Sequence, residues 1–560
     1  MNVAERVVET LVASGVEHVF GVPGDTSIAL YDAFCRAQAR LRHVMARDER
    51  GAAFMADVYA RLSGRVGVCE GPSGGGATYM VPGLAEAQGS SIPLLALITD
   101  NPLSYAHQGA LTDVDQQTLF RAVSKWTARV EQGELAEHML RRALRLATSG
   151  RPGVAQLTLP KDVLSQEAGG AAPRAQGEVP RERPDAGAVE RAAELLRAAR
   201  RPVAVAGGGV HSARAYAELV ALAERLAMPV ATTINGKGAV AETHALALGV
   251  VGANGGRDYA NAWVREADLV FFIGTKANYV DTANWTVPPR DGERTILQLD
   301  VDPAEVGNNY PVAVGLVGDA RLGLQDLCEA LGPLHREQER AGVAAEIARR
   351  ARGFWQGFER AAAEEGSPVR PERVIRVLAA ALPAEHVIVA DPGTPTPYVA
   401  AMFRVGRAGR TVVIPRAHGG LGYAIPGVVG ARLARPDSAV VGLVGDGSFT
   451  MSAGELATVR RIGGRVVLIH FNNGCFGWIK MLQHRECQGR YFGVDFPEGI
   501  DYVRVVEGFG LRAWRVERGD EFPGALRQAL ATGEPAFIDV LTPPEHVVVP
   551  PVAAWRAERG

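Results

Sequence analysis

The stretch Ala439-Val-Val-Gly-Leu-Val-Gly-Asp-Gly-Ser448 decides how this chain folds. Its apolar part, Ala439–Val444, lacks the in-out alternation of a half-buried strand, so it predicts a strand covered on both faces, as in a parallel sheet. Gly445-Asp446-Gly447-Ser448 follows as a turn, and a helical stretch from Ser452 to Arg461 comes next. Glycines let a backbone approach a phosphate, and free amides at a helix start receive anionic oxygens. Gly445, Gly447 and Ser448 are therefore candidate phosphate contacts, and Asp446 offers a hard oxygen of the kind Mg²⁺ takes. A second apolar run, Val466–Phe471, ends in Asn472-Asn473. Taken alone, each segment is only a turn. Two neighbouring strand ends would bring Asp446 and Asn473 together, and a carboxylate, an amide oxygen and phosphate oxygens make a sensible Mg²⁺ shell.

Further apolar runs continue the pattern at Leu94–Thr99, Val203–Ala206, Leu269–Ile273 and Val387–Ala390, with amphipathic stretches such as Val189–Ala199 and Ala215–Ala227 between them. Strand–helix alternation implies parallel sheets with right-handed crossovers. A Gly-, Pro-, Ala- and charge-rich linker spans Gln166–Asp185, and a charged one spans Leu331–Pro371 with a helix at Val343–Ala361. They divide the chain into blocks 1–170, 186–335 and 369–545, each expected to be a doubly wound α/β domain. Ligands in such sheets bind beyond the carboxyl ends of the strands.

Bulk properties narrow the class. A chain of 560 residues is too long for one core, and roughly three domains are expected. A net charge of −2 gives no basic footprint for nucleic acid. Cys35, Cys69, Cys328, Cys475 and Cys487 are scattered and odd in number, which argues against a disulfide framework and for a reducing, cytoplasmic setting. Met1 to Phe20 reads as an amphipathic helix without the apolar core of a signal peptide, and no run is long enough to cross a membrane.

The strand–Gly-Asp-Gly-Ser and strand–Asn-Asn pattern resembles the thiamine-diphosphate (ThDP) motif of the acetolactate synthase, pyruvate decarboxylase and benzoylformate decarboxylase superfamily. The resemblance implies pyrimidine-binding, central and diphosphate-binding domains, with Mg²⁺ held by Asp446, Asn473 and the backbone carbonyl of Cys475, whose thiol need not react. Arg47-Asp48-Glu49, followed by a small-residue helix and Tyr59-Ala60-Arg61, is similar to the family's Arg-His-Glu segment. Without the family, Glu49 is a helix-start acid favoured by the dipole. With it, Glu49 is the carboxyl that activates the aminopyrimidine, and Asp48 in place of histidine alters its setting. Ser73-Gly74-Gly75-Gly76-Ala77-Thr78 resembles a family loop, as do Gly21-Val22-Pro23-Gly24 and Gly419-Gly420-Leu421-Gly422. By that match Gly419 offers its carbonyl to the aminopyrimidine and Leu421 bends the cofactor.

The resemblance covers nearly the whole chain, and the departures bear on the chemistry. Asp25 is read as a proton relay or as a cap on the next helix. His107 stands in a loop where relatives place polar active-site residues, or is simply solvated. Leu111-Thr112-Asp113-Val114-Asp115 resembles benzoylformate decarboxylase, and the Phe-Gln-Glu of acetolactate synthases is absent. Asp391-Pro-Gly-Thr-Pro-Thr-Pro-Tyr398 replaces a Gln-His-Gln run, leaving Thr394 or Thr396 for the diphosphate. Ile479 stands where simple pyruvate decarboxylases carry glutamate, which removes a proton donor for aldehyde release. Trp478 and Met481 line a substrate pocket or fill helix core. Gly274-Thr275-Lys276 departs from the FAD pattern of anabolic acetolactate synthases and argues against FAD. The expected activity is decarboxylation of a 2-oxo acid with transfer of its acyl unit to an aldehyde or ketone acceptor. The alternatives are a non-oxidative decarboxylase or C–C lyase, and a ThDP-binding regulatory protein. Because Glu49 and Asp446 fall in different domains and relatives join them across subunits, a homodimer or homotetramer is expected.

Overall fold

The computed structural model describes residues 1–174, 177, 179–496 and 499–556. Three six-stranded sheets follow one another along the chain, and every strand pairing in them is parallel. The first sheet is ordered Arg42–Met45, His18–Gly21, Gly67–Gly71, Leu94–Asp100, Val154–Pro160, Trp126–Arg129. The third repeats that order with Val412–Val413, His386–Ala390, Ala439–Gly445, Val466–Asn472, Ala536–Leu541 and Arg512–Val516. The middle sheet runs Val314–Val317, Thr295–Asp300, Leu269–Ile273, Pro202–Ala206, Val230–Thr232, Ala247–Val250, an order known from dinucleotide-binding sheets. Helices cover both faces, so the central strands are buried throughout and their apolar runs need no alternation.

Strand order reverses beside the first-formed strand of each sheet, and loops diverging there leave a crevice. In the third sheet the crevice lies between the ends of His386–Ala390 and Ala439–Gly445, where Asp391–Thr394 and Asp446–Ser448 emerge. In the first sheet it lies beyond His18–Gly21 and Gly67–Gly71.

The first and third sheets are locked together by two helices, Glu49–Ser63 and Ala424–Ala434. Gly427 and Gly430 on the second let it approach the first closely, with Val58 and the Met55 carbonyl nearest to them. A Cβ on Gly430 would overlap the Met55 carbonyl. The tyrosine Tyr423 donates its hydroxyl to buried Asp57, which also receives Arg61 Nε at 2.8 Å.

Several sequence expectations need correction. The first helix ends at Ala13 rather than running to Phe20, and His18–Gly21 is a strand, with Gly15 at φ 78° breaking the helix between them. The Gly-Asp-Gly-Ser segment is not a turn before a helix. Asp446 is itself the first residue of helix Asp446–Ser452, and the expected helix from Ser452 is divided by a 3₁₀ turn, Ala453–Glu455, from Leu456–Ile462. The charged 331–371 linker is mostly the single helix Glu337–Ala363. Within the 166–185 linker, residues 175, 176 and 178 lie outside the described set. All five cysteines are free, and among the described residues no helix is long and apolar enough to cross a membrane.

Candidate active site

A cavity of about 330 Å³ opens at the crevice of the third sheet. Gly445, Asp446, Gly447 and Ser448 form one wall, Thr394 and Arg416 another, with Gly419 and Leu421 beside them. Cys475, Trp478 and Ile479 close the side facing the next strand, and Asn254 reaches in from the middle sheet. Gly445 holds the N-cap position of helix Asp446–Ser452, so the amides at its start point into the crevice. Gly419 adopts φ 71°, a left-handed conformation that favours glycine.

Parallel pairing of Ala439–Gly445 with Val466–Asn472 aligns their ends and joins the expected metal ligands. The Asn473 amide N–H donates to Asp446 Oδ2 at 2.8 Å. Asp446 is 3% exposed, and its other oxygen receives the Tyr502 hydroxyl at 3.2 Å. Burial raises its proton affinity, and His470 beside it, with Nε2 at 3.5 Å from Oδ1, works the other way. The Asn473 side-chain oxygen accepts from the Cys475 backbone N–H at 3.2 Å and faces its Sγ at 3.3 Å. Burial pushes the Cys475 thiol up to about 12, which leaves it a neutral wall group rather than a nucleophile. Among the described residues no group of three His, Cys, Asp or Glu side chains is placed to hold a metal. The donors at Asp446, Asn473 and the Cys475 carbonyl are hard oxygens with one carboxylate among them. That set fits Mg²⁺ completed by phosphate oxygens and is a poor match for zinc.

Of the two threonines, Thr394 lines the cavity, while Thr396 is fully buried and donates to the Asp391 carbonyl at 2.8 Å. Trp478 is a wall residue, packed at a tilt of 47° on Trp555 with 4.4 Å between ring centroids, whereas Met481 is core. Ile479 is an exposed apolar group at the mouth.

Glu49 lies elsewhere in the single chain. It is the first residue of helix Glu49–Ser63, capped by Asp48, whose side chain accepts the Arg50 N–H at 2.7 Å. The glutamate is buried against Gly71 and Gly76, and a Cβ on Gly76 would stand 2.7 Å from Glu49 Oε1, so glycine is needed there. Burial raises its proton affinity, and the negative charges of Asp48, Glu70 and Glu455 add to that. The expected Gly-rich loop becomes the short helix Gly75–Tyr79, and Ser73 Oγ is 2.7 Å from Thr112 Oγ1, which clasps the 101–115 loop over this helix. His107 sits on that loop, exposed and at φ 63°. Asp25 is exposed too, and Ser27 rather than Asp25 occupies the cap position of helix Ile28–Ala37. Neither Glu49, Asp25 nor His107 lines the Asp446 cavity.

Sequence reasoning missed several supporting groups. Glu86 is buried, accepts from Arg61 at 3.1 Å and from the His418 N–H at 2.8 Å, and so anchors the segment leading to Gly419. Asp391 accepts the N–H groups of Tyr423 and Ala424 at 2.8 and 2.9 Å. His470 is fully buried between Asp446 and Asp539, with Nδ1 at 2.9 Å from Asp539 Oδ1. Glu545 receives Thr394 and Asn473 behind the cavity wall. The only local signal for any of these is a charged residue within an apolar strand, as at His470 and Asp539.

Models of three thiamine pyrophosphate enzyme domains match the chain. The N-terminal TPP binding domain matches residues 1–119, the central domain 189–327 and the C-terminal TPP binding domain 391–540. The chain belongs to the thiamine pyrophosphate enzymes. Within them it belongs to the acetolactate synthase-like group of carboligases. A probable acetolactate synthase large subunit of Methanococcus aeolicus is 32% identical, over 99% of this chain and 94% of its own. The acetolactate synthase of Arthrospira platensis is 32% identical over 98% and 96%, and isozyme 3 large subunit of Escherichia coli 30% identical over 97% and 95%.

Proposed function

We propose that this protein is a Mg²⁺- and ThDP-dependent carboligase that decarboxylates a 2-oxo acid and joins the acyl unit to a second carbonyl compound. The supporting observation is the contact of the Asn473 N–H with Asp446, itself at a helix start and lining a cavity together with Thr394, Gly419 and Leu421. When bound, the cofactor supplies the carbon nucleophile and the electron sink. Asp446, Asn473 and the Cys475 carbonyl hold Mg²⁺. Amides at Gly447 and Ser448 receive diphosphate oxygens, with Thr394 lining the site beside them and its hydroxyl turned to Glu545, and Gly419 and Leu421 orient the rings. The Glu49 carboxyl, kept readily protonated by burial, exchanges a proton with the aminopyrimidine.

The residues around the reacting centre favour ligation over aldehyde release. Ile479 offers no proton at the mouth, and Phe476 and Trp478 make an apolar wall that excludes water. Glu49 belongs to block 1–170 and the metal ligands to block 369–545, so the complete site is assembled from two copies, in a homodimer or homotetramer. Asp25 and His107, exposed in one chain, then approach the acceptor from the partner's side. The middle block 186–335 acts as a scaffold. A cavity of about 720 Å³ at its own crevice, lined by Gly208, Gly274, Lys276 and Asp300, is large enough for a nucleotide, but the reaction needs no flavin there. Free cysteines suit a cytoplasmic location.

Pyruvate supplied with a panel of aldehyde and ketone acceptors, followed by mass spectrometry, tests this reading. The expected result is ThDP-dependent CO₂ release and a hydroxyketone product. Aldehyde as the sole product, or tightly bound ThDP with no turnover of any 2-oxo acid, would contradict it. A flavin-free absorbance spectrum of the active protein is expected as well.

A further inference from the structure

We infer that Glu545 is a positioning residue for the metal site, holding the Asn473 side chain so that its oxygen, not its NH₂ group, is presented to the cation. The inference rests on the Mg²⁺–ThDP reading above and deepens it. Glu545 follows the last-formed strand, Ala536–Leu541, and is 1% exposed. It is not part of the cavity wall but stands directly behind three residues that are close to it. Thr394 Oγ1 donates to Glu545 Oε1. Asn473 Nδ2 donates to Oε2 at 3.3 Å. The same Oε2 lies against Gly477, the first residue of helix Gly477–Glu486, where a Cβ would overlap it.

Thr394 and Asn473 donate to the two oxygens of Glu545, which act there as acceptors, whereas a side-chain amide has one face that donates and one that accepts. A carboxylate behind Asn473 therefore fixes which way the amide is turned. The N–H of Cys475 imposes the same choice from the other side by donating to Asn473 Oδ1 at 3.2 Å. A hard cation takes the oxygen, and a flipped amide would face it with hydrogens. Thr394, a residue of the cavity wall, hangs on the same carboxyl group, so one buried side chain holds both Asn473 and a neighbouring wall residue in place. Burying an acid is costly without such partners. A structural cap on helix Gly477–Glu486 would account for the burial alone, but it would not link Asn473 to Thr394.

Mn²⁺ binding in the presence of ThDP, read by the paramagnetic resonance of the free ion, separates these roles when paired with the melting temperature of the cofactor-free protein. Glu545→Leu is expected to weaken Mn²⁺ about tenfold or more, the range for removing a group that orients a metal ligand. Glu545→Gln is expected to stay within about threefold of wild type, because its carbonyl still accepts from Asn473 while the Thr394 hydroxyl turns to accept from its amide. Unaltered Mn²⁺ affinity in Glu545→Leu, or Glu545→Gln as weak as Glu545→Leu, overturns the inference. Should Glu545→Leu fail to fold, Glu545→Asp decides: the carboxylate is drawn back by one methylene, a several-fold loss supports the inference and an unchanged affinity overturns it. Absence of any ThDP-dependent Mn²⁺ binding in the wild-type protein would instead overturn the cofactor reading on which the inference rests.

Discussion

Burial governs the acids of this site, and it does so differently at each. At Glu49 it raises proton affinity, and under the proposed function this carboxyl exchanges a proton with a ring nitrogen, so Glu49→Gln is expected to bind ThDP normally and lose activity by about 10²-fold or more. Calorimetry and turnover measured on the same sample check both halves, and unchanged turnover would remove the assigned role. Asp391 shows the cost of such burial. Two helix-start N–H groups bind one oxygen, and Ser448 and Gly445 also favour the charged form, yet burial outweighs them and pushes the Asp391 pKa up to about 7. An acid whose folded pKa is raised binds more protons folded than unfolded between the two values. The folded protein therefore loses stability at this residue as pH rises from about 4 to about 7. Asp391→Asn should gain on the wild type over that window in denaturant titrations, and a pH-independent difference would contradict this. The meeting of Asp446 with Asn473 was legible in the sequence because strand–Gly-Asp-Gly-Ser and strand–Asn-Asn are local patterns at the ends of two runs that pair as neighbours. Glu545, Glu86 and Asp539 were not, because Glu545 stands in a loop-like Thr-Pro-Pro-Glu-His segment, Glu86 in a helix and Asp539 in a strand, and only tertiary packing gives each its partners.

At the scale of elements, close approach of two backbones decides what each helix can contain. Helix Ala424–Ala434 presents glycines to helix Glu49–Ser63, where Val58 and the backbone of Met55 stand closest. Gly430→Ala would press a methyl on the Met55 carbonyl, which cannot move as a side-chain tip can. The expected cost is about 1–3 kcal/mol, seen as a lower denaturation midpoint. An unchanged midpoint would show that the helices can separate freely. The apolar runs gave the central strands because burial on both faces leaves a continuous hydrophobic signature. Strand His18–Gly21 was hidden because the helix before it has the same mix of charge and apolar residues, and only Ser14-Gly15 marks the break. The helix at Asp446 was read as a turn because glycine and aspartate are poor helix formers. Under the proposed function they suit a helix start beside a strand end, where a phosphate would be received.

Across the whole molecule, the first and third sheets share one strand order and each has a crevice beside its first-formed strand. Glu49 lies near the crevice of one, and Asp446 in the crevice of the other. Yet the cavity beside Asp446 is lined by no residue from the first sheet's block, so the two halves of the proposed site do not face each other within one chain. Two copies related by a two-fold axis would join each half to its complement. Nothing in the sequence displays the shared topology, since similar strand orders arise from unlike residues and only the burial pattern is common. The pairing of halves is tested most directly by mixing two inactive variants, Glu49→Gln and Asp446→Ala, and letting their subunits exchange. The account predicts that activity returns, because half the dimers are then mixed and each mixed dimer holds one site built from two intact halves, about a quarter of all sites. Mixed dimers confirmed by native mass spectrometry that remain as inactive as either parent would contradict it.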